Sequence, residues 1–160
     1  MSPLPHHLLP DTATVLADGS LSVGGVPLLD LASQYGTPLF VYDEQHLRNR
    51  CREAVESFGA DSVVYATKAF LCKAMARLAH EEGLMLGVAT AGELYVALAA
   101  GVPAGRCVFH GNNKSADELR YAITAGVHHI NVDSFDELDR LEVLRAEGIP
   151  VPRVALRITP

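Results

Sequence analysis

Lysine is scarce in this chain. Lys68, Lys73 and Lys114 stand against ten arginines in 160 residues. Long hydrophobic runs are missing too, and none approaches the ~20 residues a membrane-spanning helix requires. The start, "MSPLPHHLLPDTATV", has no basic region ahead of an apolar core, so no signal peptide is read there. Positive charge is outweighed: the net charge of −6 and pI near 5.6 argue against a nucleic-acid or acidic-membrane partner. The three cysteines, Cys51, Cys72 and Cys107, are odd in number and widely spaced. That excludes a disulfide framework and zinc spacing, and fits buried thiols in a reducing cytoplasm. His6-His7 and His128-His129 are adjacent pairs that would point to opposite faces of a strand, so no metal site is expected. What remains is 49% apolar and 20% charged, the composition of a globular domain with a real core.

Against this background one lysine stands out. In "SVVYATKAFL" (62–71), Lys68 follows Val63, Val64, Tyr65 and Ala66, which read as a buried strand. Either the strand ends in solvent at Thr67, or Lys68 sits beside apolar surface. A desolvated lysine loses basicity, and its amine becomes a usable nucleophile. Lys73, a turn into a helix, and Lys114, in a loop read as solvated, have no such strand behind them.

Glycines recur at Gly59, Gly83, Gly101, Gly126 and Gly148, each where a helical pattern ends. Apolar runs follow them: "SVVYAT" (62–67), "LMLGVA" (84–89), "RCVFH" (106–110), "HHINV" (128–132) and "RVALRI" (153–158). Helical stripes precede them, as in Leu47, Cys51, Ala54, Val55, Phe58 and in Leu71, Met75, Leu78, Ala79. Leu119, Ala122, Ile123 and Leu138, Leu141, Leu144 continue the pattern. Two helices open with capping-box strings, "SADE" (115–118) and "SFDE" (134–137). Strands alternating with helices call for parallel pairing, in a doubly wound sheet or in part of a (β/α)₈ barrel. No G-x-G-x-x-G follows the first strand, which weakens the dinucleotide-binding alternative. The polar residues gather at the strand ends, the face that carries active sites in both architectures. Residues 1–43 differ. They read as a short strand, a Gly-Gly turn, a short helix through Leu31 to Tyr35 and a second strand "LFVYD" (39–43).

"YGTPLFVYD", "YATKAF", "HGNNKS" and "INVDSFDEL", in this order and spacing, resemble the N-terminal part of the diaminopimelate decarboxylase family, fold-type III (alanine racemase-like) pyridoxal-phosphate enzymes. Ornithine and arginine decarboxylases carry related Y-A-x-K strings; "HGNNKS" favours the diaminopimelate branch. The resemblance implies an α/β fold in which residues 44–160 form the first half of a (β/α)₈ TIM barrel, about five of its eight strands. Residues 1–43 would be an extension pairing with a C-terminal β domain. It implies pyridoxal 5′-phosphate as cofactor, Lys68 as the catalytic lysine that holds it, and decarboxylation of meso-2,6-diaminopimelate to L-lysine by a cytoplasmic homodimer. Arg157, on the fifth strand, matches an arginine near the cofactor in related decarboxylases; its alternative is a strand arginine reaching solvent. His110 ends the third strand, and either lines the pocket or is a satisfied core histidine. The family string D-V-x-S-x-G-E-L reads "GVATAGEL" here, with Gly87 in the aspartate's place. Later family elements, including the phosphate loops, follow the fifth strand, so the 160-residue chain is expected to be inactive alone. Two other classes compete: a non-catalytic pyridoxal-phosphate carrier, and a partner protein acting through an exposed barrel edge. The extension and "HGNNKS" speak against a minimal carrier.

Overall fold

The structure, a computed structural model, describes residues 5–158. Its contacts divide into two compact units, Met1–Glu53 and Ala54–Pro160.

In the first unit, β1 (Thr14–Val15), β2 (Leu21–Val23) and β3 (Val26–Pro27) form an antiparallel sheet in that order. Gly24 and Gly25 make the two-residue turn between β2 and β3, with φ of 60° and 78°. Two successive positive φ values match the twist of a tight hairpin, which is why two glycines stand there. Helix α1 (Leu28–Tyr35) follows directly. The expected strand "LFVYD" does not form: residues 39–43 carry no ladder, and Phe40 is 88% exposed. Extended backbone becomes a strand only with a partner, and β1 and β3, neither foreseen, occupy the sheet instead. Asp43 ends the stretch buried, ahead of α2 (Glu44–Phe58). Burial works against its charge, but Thr12 Oγ1 donates to it at 2.7 Å and the His46 amide at 3.2 Å. Together with further amide bonds these hold the carboxyl below its usual range.

The second unit carries β4 (Val64–Ala66), α3 (Lys73–Glu81), β5 (Met85–Val88), α4 (Ala91–Ala99), β6 (Cys107–Phe109), α5 (Ala116–Ala125), β7 (His129–Val132), α6 (Phe135–Ala146) and β8 (Val154–Leu156). The five strands are parallel and their spatial order is their chain order. A doubly wound sheet reverses order at a switch point; this one advances strand by strand, as a barrel does. The expected partial (β/α)₈ architecture is therefore the observed one. Gly126 closes α5 in the left-handed conformation (φ 82°, ψ 44°), the role read for it from sequence.

The core lies between the inner strands and α3 to α5. Every residue of β5 and β6 is buried, and Leu94, Leu119 and Ala122 pack from the helices with no exposed surface. Burial alone pushes the Cys107 thiol up to about 11, so it behaves as a small apolar side chain. The outer strands differ. Val64 is 44% exposed and all of β8 is exposed. The stretch ahead of Lys68 is thus an open edge rather than the buried strand expected, because β4 has a hydrogen-bonded neighbour on one side only among the described residues. Phe58, placed by its spacing on the packed face of α2, is also exposed.

On the face where the strands begin, Arg106 donates to Gly83 O at 2.8 Å and pairs with Asp61, joining the approaches to β4, β5 and β6. His128 precedes β7 rather than lying in it. The two rings therefore meet, Nδ1 to Nδ1 at 2.7 Å, instead of pointing to opposite faces.

Candidate active site

At the opposite face, where the strands end, polar side chains gather on the loops entering the helices. Lys68 lies in the short turn Thr67–Ala69 that follows β4. It is exposed and, among the described residues, makes no hydrogen bond or ion pair. The residue before it is anchored: Thr67 is buried, and its hydroxyl faces Gly87 O at 2.8 Å and Glu93 Oε2 at 3.1 Å. Pairing of Ala66 with Gly87 sets β5 beside this turn.

Gly87 and His110 extend the same corner. A Cβ on Gly87 would lie 3.5 Å from His110 Cδ2, 3.1 Å from Val64 Cγ1 and 3.6 Å from Tyr65 O. His110 is half-buried, and its amide donates to Val88 O at 2.8 Å, so it continues the β6 ladder by one residue. Lys68, Gly87 and His110 thus occupy the ends of three adjacent strands. Arg157 does not join them. It follows β8, is 60% exposed, and pairs with Asp133 Oδ1 at 3.0 Å.

Three glutamates organise this face, each at the third position of its helix. Glu93 accepts from the Ala89 amide at 2.6 Å and from Thr67. Glu118 accepts from the Ser115 amide and from the Ala91 amide, both at 3.0 Å. Glu137 accepts from the Asp133 amide at 3.0 Å and meets Lys114 Nζ at 2.8 Å. One bond steadies the helix's own start, and a second contact reaches the preceding strand–helix unit, at Thr67, Ala91 and Lys114 respectively. Only α5 has the complete reciprocal capping box. At α6 the Glu137 amide still bonds Ser134 Oγ, but the carboxylate reaches past the cap to Asp133 and Lys114. The sequence carried this signal as three T/S-x-x-E strings, at Thr90, Ser115 and Ser134, but not the second partner of each carboxylate.

The lysine that the apolar setting claims is Lys114, not Lys68. Read from sequence as a solvated loop residue, Lys114 is 1% exposed. Its ammonium donates to Gly111 O at 2.5 Å and to Asn131 O at 2.8 Å, and lies 6.0 Å from the centre of the Phe109 ring. The contact to Glu137 Oε1 is off-axis for a hydrogen bond, so that oxygen is matched by charge rather than by an aligned N–H. Deleting either partner alone would strand a buried charge at a cost of about 3–5 kcal/mol. Lys73, expected a turn into its helix, is the first residue of α3.

These residues suit a carbonyl cofactor. Covalent capture needs an amine that is reachable and not already engaged, and Lys68 is both. Gly87 has no side chain between Lys68's strand and His110, where a Cβ would already press on Val64 Cγ1 at 3.1 Å.

The family described as "Pyridoxal-dependent decarboxylase, pyridoxal binding domain" matches residues 44–160. Diaminopimelate decarboxylase of Mycobacterium tuberculosis is 51% identical over 142 residues, covering 88% of this chain and 32% of that protein. The Corynebacterium efficiens protein of the same name is 47% identical over 158 residues, 98% of this chain and 34% of its own. Among solved structures, diaminopimelate decarboxylase from M. jannaschii in co-complex with L-lysine aligns with a TM-score of 0.80 at 33% identity, over 94% of this chain and 36% of that one. A lysine/ornithine decarboxylase from Vibrio vulnificus shares the fold, with a TM-score of 0.71 at 24% identity over 82% of this chain and 35% of its own. The chain spans about a third of the length of the curated relatives it matches. With the family match running from α2 onward, the chain belongs to the pyridoxal-dependent decarboxylases, its residues 44–160 matching their pyridoxal binding domain.

Proposed function

We propose that this chain supplies the cofactor lysine and its surrounding loops to a diaminopimelate decarboxylase, which converts meso-2,6-diaminopimelate to L-lysine. The observation that carries the reading is the 51% identity over 142 residues to proteins of that name. Pyridoxal 5′-phosphate, when bound, supplies an electron sink for the pair left as the carboxylate departs. This chain's own residues do the rest. Lys68 Nζ would hold the cofactor covalently, its unengaged amine being the nucleophile such capture needs. Thr67, held by Gly87 O and Glu93, fixes the backbone from which Lys68 extends. His110 would border the cofactor from the end of β6, and Arg157, paired with Asp133, would lie at the rim. The extension, residues 1–43, packs with a β domain elsewhere in the full-length protein, and that protein works as a homodimer in the cytoplasm. Among the described residues no helix is long and apolar enough to cross a membrane.

Borohydride reduction of the full-length holoenzyme followed by peptide mapping should place the pyridoxyl group on Lys68. Carbon dioxide should be released from meso-diaminopimelate in preference to ornithine or arginine. A label on Lys73 or Lys114, or preferred turnover of ornithine, would sink the assignment.

A further inference from the structure

We propose that the buried Lys114–Glu137 pair is a positioning element of the cofactor face, setting His110 and Arg157 relative to each other. The inference rests on the functional reading above. Its physical basis is the path between those two residues. Next to His110, Gly111 gives its carbonyl to Lys114 Nζ. Lys114 meets Glu137, whose second oxygen accepts from the Asp133 amide, and Asp133 pairs with Arg157. Three successive loops, after β6, β7 and β8, are thereby joined through one buried charge pair.

Two features say that this pair sets geometry. A buried ion pair is often no more stabilising than apolar residues of similar volume, so burial of Lys114 and Glu137 is poorly explained by stability alone. The loop it grips is also tightly confined. Gly111 has φ of 114°, and a Cβ there would lie 3.2 Å from Ala89 O, in the loop after β5. With Gly111 pressed on one side and its carbonyl held by Lys114 on the other, His110 has little freedom. Arg140 Nη1 donates to Lys114 O at 2.8 Å and fixes the lysine's own backbone. Neither Lys114 nor Glu137 needs to touch the cofactor to act in this way.

The test uses the full-length holoenzyme and the double variant Lys114→Met/Glu137→Met, which removes both charges together and so leaves neither stranded. Glu137→Gln serves as a second change, one that keeps the side chain's shape and removes only its charge. Thermal midpoint, pyridoxal 5′-phosphate dissociation constant, visible circular dichroism of the bound cofactor, and kcat and KM are measured for each. The expected result is a folded double variant with an altered visible dichroism band and kcat lowered by about 10- to 100-fold at nearly unchanged KM, the scale of a reactive group displaced by about 1 Å. Wild-type dichroism and kcat in the folded double variant would overturn the inference. So would failure of both variants to fold, since the pair would then serve the fold rather than the site. Wild-type protein without a pyridoxyl group on Lys68 would instead overturn the functional reading, and this inference with it.

Discussion

Gly87 lies where the family string carries an aspartate, and its surroundings show what restoring the acid would meet. Its φ is not in the glycine-only region, so a side chain is tolerated by the backbone. The tight contact is Val64 Cγ1 at 3.1 Å, which must give by a few tenths of an ångström for a side chain to fit. A carboxylate here would stand beside His110 and near the Lys68 turn, and a nearby negative charge favours protonated amines and imines. In the full-length enzyme Gly87→Asp is therefore expected to raise kcat, by up to ~10²-fold if the acid acts as such electrostatic groups do. Gly87→Ala separates the steric cost from the charge. Steady-state kinetics decide it: an unchanged or lower kcat for the aspartate variant, with the cofactor still bound, ends the idea.

Helix α5 offers the clearest pH signature. Its Glu118 carboxyl is held below the ordinary value of 4.5, first by the Ser115 amide and then, against the cost of burial, by the Ala91 amide and the Ser115 hydroxyl. Because the folded pKa is the lower one, the stabilisation is complete above the unfolded pKa and disappears as pH falls through the folded one. Wild type should thus be more stable than Glu118→Gln near neutral pH, with the difference shrinking as pH falls below the ordinary value of 4.5 and lost once it has passed through the lower, folded-state value. Urea midpoints measured across that range give the answer, and a pH-independent difference would rule the carboxylate out as its source. Glu118 also joins α5 to the first residue of α4, so the loss should loosen both helix starts.

Across the molecule, the parallel sheet ends on two open strands. Val64 on β4 and Val154, Leu156 and Ile158 at β8 are exposed, as is Val151 beside them. A groove of about 270 Å³ lies between α6 and the approach to β8, lined by Leu138, Leu141, Pro150, Val151 and Val154 among others. Unpaired edges and contiguous apolar surface favour association. The 160-residue chain studied alone is expected to self-associate and to release no carbon dioxide from meso-diaminopimelate. Sedimentation should show concentration-dependent oligomers that Leu156→Lys reduces. A monomer that melts cooperatively and turns over substrate would contradict this.

What the sequence determined by itself was local and periodic. Alternating strand and helix, helix ends at glycines such as Gly126, the reciprocal cap at Ser115–Glu118 and the placing of Lys68 at a strand end all depend on residues a few positions apart. Such short-range signals survive without knowledge of the neighbours. Tertiary structure decided which strands lie inside. "SVVYAT" and "RVALRI" look as buried as "LMLGVA", but only the strands with partners on both sides lost their exposure. It also decided the fate of each lysine. Lys114 is drawn into the interior by two carbonyls and by Glu137, twenty-three positions away in sequence. A charge can be buried only when its partners are brought to it, and partners that distant are named by the fold, not by the residues on either side.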